Sequence, residues 1–229
     1  SNEQWKSGIG VMPHLGQAPS MLRTSVFNNS YFGQGAIIQA RPAYYDFLSM
    51  SAGHLPNSQL SMMDLSFRVF EDQIKLNSLD LLNIETLNIS PSNLPGDGGL
   101  AWKLRAGIER NYLSAQADSN EWFLESGIGK ASEFDALTLY AMTEVRLQTP
   151  NNYSEQWLIT PKVGLLYEFN NLKTHCYLSY PIQIGQYSQF RRVMYSCEQR
   201  VVASKDYDLR LKLQKHLNTE LSISFSYYL

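Results

Sequence analysis

The chain has 229 residues, 44% of them hydrophobic, 17% charged and 12% aromatic, with a formal net charge of −2. It is long enough for one large all-β or α/β domain, too apolar for disorder, and too evenly charged for a nucleic-acid surface. No run approaches the ~18 consecutive apolar residues of a transmembrane helix.

Residues 1–19 carry Gly8, Gly10, Pro13, Gly16 and Pro19 and read as a lead-in segment or linker. They contain no signal peptide, so an export signal is expected upstream. Helical periodicity is almost absent, and from residue 20 onward period-two alternation is nearly everywhere. Segments of this kind cover roughly 20–28, 33–46, 60–70, 73–86, 101–112, 121–131, 137–148, 156–169, 172–184, 189–202, 207–216 and 220–229. Met63, Leu65, Phe67 and Val69 alternate with Asp64, Ser66 and Arg68. Further on, Trp102, Leu104, Ala106 and Ile108 alternate with Lys103, Arg105, Gly107 and Glu109. Leu137–Gln148 and Tyr207–Gln214 behave alike, and the chain ends on Leu221, Ile223, Phe225, Tyr227 and Leu229 against serines. Asn28-Asn29-Ser30, Glu71-Asp72-Gln73, Asn151-Asn152, Asn170-Asn171 and Ser204-Lys205-Asp206 punctuate the segments with turn chemistry. No shift of composition marks a boundary, so residues 20–229 form one all-β domain.

Period two fits both a soluble barrel or sandwich and a membrane barrel, which differ in the face that meets water. Three features favour an antiparallel up-and-down barrel of about twelve strands, of outer-membrane type. The segments are about 9–13 residues long, suited to tilted spanning strands. Charged residues populate one face of strand after strand, and Trp102, Tyr112, Trp122, Tyr153, Trp157, Tyr227 and Tyr228 lie near segment ends, where aromatic girdles belong. An even strand number puts both termini in the periplasm. If the charged face points inward, Arg68, Arg105, Arg146, Arg192, Arg200 and Arg210 should pair with Glu109, Glu144, Glu168 and Glu198 in one continuous lumen network. Such a lumen is plugged rather than open.

Catalytic patterns are missing. The His-x-Ser pair of outer-membrane acyl hydrolases does not occur: Gly16, Pro56, Tyr177 and Asn218 stand two positions after His14, His54, His175 and His216. There is no GxSxG, HExxH, GxGxxG or Walker loop, and Gly127-Ile128-Gly129 lies inside a strand. No catalytic, cofactor-binding or metal-binding residues are assigned. Cys176 and Cys197 form no metal-ligand pattern. A symmetric hairpin turning near Gln186-Tyr187 would set these two cysteines directly opposite each other, close enough for a disulfide in an oxidising periplasm.

Several stretches carry a resemblance. These are Arg41-Pro42-Ala43-Tyr44-Tyr45-Asp46 followed by Gly53 and Leu55, the Leu60–Arg68 and Leu79–Ser90 segments, and Ala101-Trp102-Lys103-Leu104. Pro13-His14-Leu15-Gly16 and Gly127-Ile128-Gly129 add to them. Together they resemble a family of uncharacterised bacterial envelope proteins, in which a β-rich C-terminal domain follows a periplasmic module similar to the N-terminal domain of the lipoprotein N-acyltransferase Lnb. The resemblance implies that this chain is the C-terminal barrel, anchored in outer-membrane lipid and serving the upstream periplasmic domain of the same polypeptide. Any catalysis would reside in that module. A small channel or ligand-binding outer-membrane barrel and a soluble periplasmic interaction domain stand as alternatives. The Phe47–Asn57 and Ser90–Gly99 connections would face the periplasm, where Met50, Leu55, Pro56, Leu94 and Pro95 could dock the module.

Overall fold

The computed structural model describes residues 16–50, 57–89, 99–110, 120–150, 156–185 and 192–229. Fourteen strands follow in chain order: β1 (Met21–Asn29), β2 (Gly33–Arg41), β3 (Ala43–Tyr45), β4 (Ser58–Val69), β5 (Ile74–Thr86), β6 (Ala101–Arg110) and β7 (Asn120–Phe134). The second half adds β8 (Leu137–Gln148), β9 (Trp157–Phe169), β10 (Leu172–Ser179), β11 (Ile182–Ile184), β12 (Met194–Ala203), β13 (Tyr207–Lys215) and β14 (Thr219–Tyr228).

Two of these strands are continuations. Pro42 interrupts the ladder between β2 and β3, which both pair with β4, and Pro181 does the same between β10 and β11, which both pair with β9. Proline has no N–H to give to a ladder, so each stave breaks and resumes. Counting each broken stave once gives twelve antiparallel staves. Sequence neighbours pair throughout, and β1 pairs with β14 from Met21↔Tyr228 to Asn29↔Glu220, which closes the barrel. The start of β1 and the end of β14 lie at one end, where the strands joined by the 46–57 and 87–100 connections also end. The 111–119, 149–156 and 185–193 connections join strands at the opposite end. Long connections therefore occur at both ends.

The pleat divides the residues by chemistry. On β7, Trp122, Leu124 and Ile128 stand outside, 57, 50 and 64% exposed, while Glu121, Phe123 and Glu125 are buried inside. On β13, Leu211 is outside and Asp208 and Arg210 are inside; Leu139 on β8 is outside as well. A water-soluble barrel has the opposite arrangement. Outward aromatics gather at both rims: Trp122 and Trp157 at one, and Trp102, Phe134, Tyr167, Phe169, Tyr207 and Tyr227 at the terminus end. The wall is apolar and the lumen is charged: this is an outer-membrane-type barrel.

Inside–outside alternation survives because irregularities absorb the misfits. Gln59 and Ser61 line the lumen near the start of β4, and Asp64, Ser66 and Arg68 line it further on. Met62 and Met63 both point outward between them, with Met63 at φ 54°. The extra residue shifts the parity by one. On the facing strand the register slips between Asp80 and Leu82 against Gly107 and Ala106. Without these slips, Asp64 and Asp80 could not share a face with Gln59 and Asn83.

Because Ile223 is outward and pairs with Val26 and Leu211 in the middle of its stave, Ile223→Arg should destabilise the barrel in lipid by about 2–4 kcal/mol. Urea unfolding in vesicles reads this, and an unchanged midpoint would contradict a lipid-facing position.

Candidate functional site: a charged lumen with a closed floor

Short inward side chains leave room for long ones. Gly35 lacks the Cβ that would lie 2.6 Å from the Phe27 ring, so Phe27 lies flat, and the Arg68 guanidinium covers that ring at 4.8 Å. Gly164 does the same for Tyr140, whose hydroxyl is 2.8 Å from His175 Nε2. Over Phe123 sit two guanidiniums, Arg105 at 4.6 Å and Arg146 at 4.2 Å.

The ion pairs among the described residues include two chains and two further pairs. The first chain runs along β5 to β9. Asp80 accepts from Arg105 at 2.8 Å, and Arg105 reaches Glu109 at 2.9 Å. Glu109 then pairs with Arg146, which lies 3.8 Å from Glu125. Glu125 holds Lys103 at 2.5 Å, Glu144 bridges Lys103 and Lys162 at 2.9 and 3.1 Å, and Lys162 ends the chain 3.7 Å from Glu85. Most of these partners stand on strands one or two apart, while Lys162 of β9 and Glu85 of β5 meet across the lumen.

The second chain lies at the terminus end. Asp46 Oδ2 is 3.0 Å from Arg41, 3.0 Å from Arg210 and 3.6 Å from Arg23. Arg210 also contacts Glu198 at 3.3 Å and Asp208 at 2.7 Å, and the Tyr228 hydroxyl donates to Asp208 at 2.6 Å. Burial alone would raise the Asp46 carboxyl, but Arg210, Arg41 and Arg23 override it and hold the carboxyl well below its ordinary range. The first separate pair is Arg68 with Glu220, at 2.7 Å, where Asn29 and Gln214 also donate to the carboxylate.

Four more residues of the expected set stand apart from the β5–β9 chain. Glu168 stands at the rim, half exposed, and forms the second separate pair with Lys173. Arg200 donates to the Leu48 carbonyl and has no ion pair among the described residues. Glu198 pairs with Arg210 and Arg23 rather than with the β5–β9 chain. Arg192 is exposed, two residues ahead of β12. Asp46, Asp80, Glu85, Lys103, Glu125, Lys162 and Glu220 are the partners that were not anticipated together.

The floor is built by Asp46–Ser49, which turns inward from β3. Asp46 Oδ1 accepts from the Leu48 amide at 3.0 Å and the Ser49 hydroxyl at 3.1 Å, a tight side-chain-capped turn. Phe47 and Leu48 are both 3% exposed. Phe47 packs with Leu87, Ala101, Tyr140, Met142 and Leu166, and its ring lies 5.2 Å from His175. Gln17 ties the lead-in to this turn, accepting from the Met50 amide at 3.1 Å and donating to the Ser204 carbonyl at 3.0 Å. Above the floor is a cavity of about 490 Å³ lined by ten cationic and nine anionic side chains among the described residues.

Cys176 and Cys197 face each other in the β10–β12 register with Cα atoms 4.0 Å apart, joined by a disulfide on the outward face. His14, His54, Leu55, Pro56, Leu94 and Pro95 lie outside the described residues, while Met50 is half-buried beside Gln17. No group of three His, Cys, Asp or Glu gathers to hold a metal among the described residues.

Removing Glu220 would leave the Arg68 guanidinium, Asn29 and Gln214 facing each other in the lumen. Glu220→Ala should therefore cost about 3–5 kcal/mol, much of it regained by replacing Arg68 with Met in the same molecule. Urea midpoints of the two variants test this, and additive losses would count against the pair.

No curated protein matches the chain. Solved structures do. It resembles the COG4313 outer membrane channel from Pseudomonas putida F1, with a TM-score of 0.55, 8% identity, and 93% of this chain and 96% of that one covered. The NanC porin follows at 0.53, with 7% identity and coverage of 92% and 100%. The KdgM porin in complex with disordered oligogalacturonate gives 0.52, with 7% identity and coverage of 91% and 99%. At such identities the likeness is one of fold, and it joins this wall and lumen to outer-membrane barrels. Residues 11–229 match a family described as a domain of unknown function, DUF7840, and the chain belongs to that family.

Proposed function

We propose that this barrel is an outer-membrane channel for small polar solutes, held closed at its terminus end by the Asp46–Ser49 turn. The observation that carries the reading is the cavity of about 490 Å³, charged on every side, that ends on Asp46, Phe47 and Leu48. Its size suits a small-molecule ligand, and its lining suits a hydrated or ionic one. The fold likeness to proteins named as a channel and as porins supports it, as does the oligogalacturonate complex of one of them. The floor is a non-strand segment, so it can move without opening the wall. In planar bilayers the wild type should conduct weakly, and the double variant Phe47→Gly, Leu48→Gly should conduct severalfold more. Equal conductance in both would remove the turn as the barrier.

A second reading is favoured by the grouping, at one end, of the start of β1, the end of β14 and the strand ends joined by the 46–57 and 87–100 connections, with Gln17 holding the lead-in against the floor. In it the barrel anchors an upstream, Lnb-like periplasmic module that docks on that end. In a longer protein carrying such a module, deletion of residues 90–99 should speed proteolysis of the linker before residue 20. An unchanged rate would speak against docking there.

A further inference from the structure

Asp46 has two tasks, and they fall on different oxygens. Its Oδ1 caps the turn, while its Oδ2 sits between Arg41, Arg210 and Arg23. Arg41 and Arg210 are almost fully buried, and the Arg41 Nε and one Arg23 Nη have no hydrogen-bond partner. Three guanidiniums thus converge on one carboxylate oxygen with donor capacity to spare. Guanidinium groups prefer two-pronged contact with an anion, which a single Oδ2 cannot give to all three. The remaining counter-charges are Glu198 and Asp208, both engaged with Arg210, and Asp64, which lies near Arg41 and Arg23. With Asp46 gone, Arg23, Arg41, Arg210 and Lys212 on the cavity wall would face these three carboxylates, and Arg200 behind the Leu48 carbonyl adds to the excess. Asp46, Arg23, Arg41 and Arg210 all border the cavity, so a solute in the lumen meets this cluster directly.

We infer that Arg23, Arg41 and Arg210 form a binding site for a small anionic solute, that Asp46 occupies it as a tethered competitor, and that the solute's arrival displaces Asp46 and loosens the floor turn. This deepens the channel reading and rests on it, since it names both the class of solute and the event that opens the floor. A freely diffusing dicarboxylate can meet the guanidiniums with two oxygens on each carboxylate, satisfying donors that Asp46 leaves unpaired. The competition is one of tethered against free anion, so a high local concentration favours Asp46 until solute accumulates.

Asp46→Asn separates the two tasks, because the amide oxygen still caps the Leu48 amide while the negative charge is lost. Glutarate binding is measured by calorimetry on the full chain in detergent micelles, with folding checked by circular dichroism. Asp46→Asn should bind about tenfold more tightly than the wild type, since the tethered competitor is removed. Adding Arg23→Gln to Asp46→Asn should take that gain away. Equal glutarate affinity in the wild type and Asp46→Asn, or affinity unaffected by Arg23→Gln, overturns the site. Conductance is recorded in parallel: glutarate should raise the wild-type current over chloride at matched ionic strength, while Asp46→Asn should conduct well in chloride alone. Tighter glutarate binding without any change in conductance overturns the gating step and the channel reading together. Absence of the binding difference, with the Phe47→Gly, Leu48→Gly variant still conducting, overturns the anion site and spares the channel.

Discussion

A closed cylinder of strands has no surface to which its inward side chains can escape. The pleat sends every second residue inside, and once lipid claims the apolar half, the polar half must be satisfied within the lumen. The rest of this structure follows from that constraint. It explains why Arg105 and Arg146 share the face of Phe123 and why Glu144 serves two lysines. It also explains why serines such as Ser25 and Ser224 bond across the β1–β14 seam where no charge is at hand. Breaks in the strands obey it too. Met62 and Met63 point outward in succession so that Asp64 can point inward, toward Gln39.

Much of this was legible in the amino-acid order. All twelve staves correspond to stretches of alternating residues, because a wall with lipid on one side and charge on the other imposes the sharpest period-two pattern a strand can carry. Cys176 and Cys197 were legible as neighbours because a hairpin's register is set by its turn, and the strands pair in one unbroken register from Lys173↔Arg200 to Ser179↔Met194. Proline hid the finer detail: a single segment from 33 to 46 contains the Pro42 break, and its last residue, Asp46, belongs to the floor rather than to a strand.

Partnership was far less legible than position. Alternation says that Arg68 points inward, but nothing local says that it meets Glu220, 152 positions away in the chain. The expected partners of the arginines were Glu109, Glu144, Glu168 and Glu198; Glu109 and Glu198 do pair with arginines, and Asp80, Asp46 and Glu220 share that work with them. Choosing among them requires barrel stagger and the sizes of intervening residues, such as Gly35, which are three-dimensional quantities. Arg192 misled for a simpler reason: it flanks its strand and does not belong to the ladder. The floor turn carried one local signal that alternation masks. Asp46-Phe47-Leu48-Ser49 places an acceptor and a hydroxyl three residues apart around two apolar residues, the chemistry of a capped turn that buries its tip.

The two charged walls differ in sign, which gives the floor its logic. The β5–β9 chain contains Asp80, Glu85, Glu109, Glu125 and Glu144 against Lys103, Arg105, Arg146 and Lys162, and so carries an acidic excess. Across the lumen, the staves contribute Arg23, Arg41, Arg210 and Lys212 against Asp64, Glu198 and Asp208, a basic excess. Asp46 is the one member of that second chain that does not come from a strand. An apolar turn could have plugged the floor by packing alone, as Phe47 does against Leu87 and Met142. Carrying Asp46 with it makes the plug neutralise a charge that the wall leaves over, so seating the turn and balancing the lumen become the same event. A wall built to need one more carboxylate is also a wall that discriminates by charge whatever stands in that position.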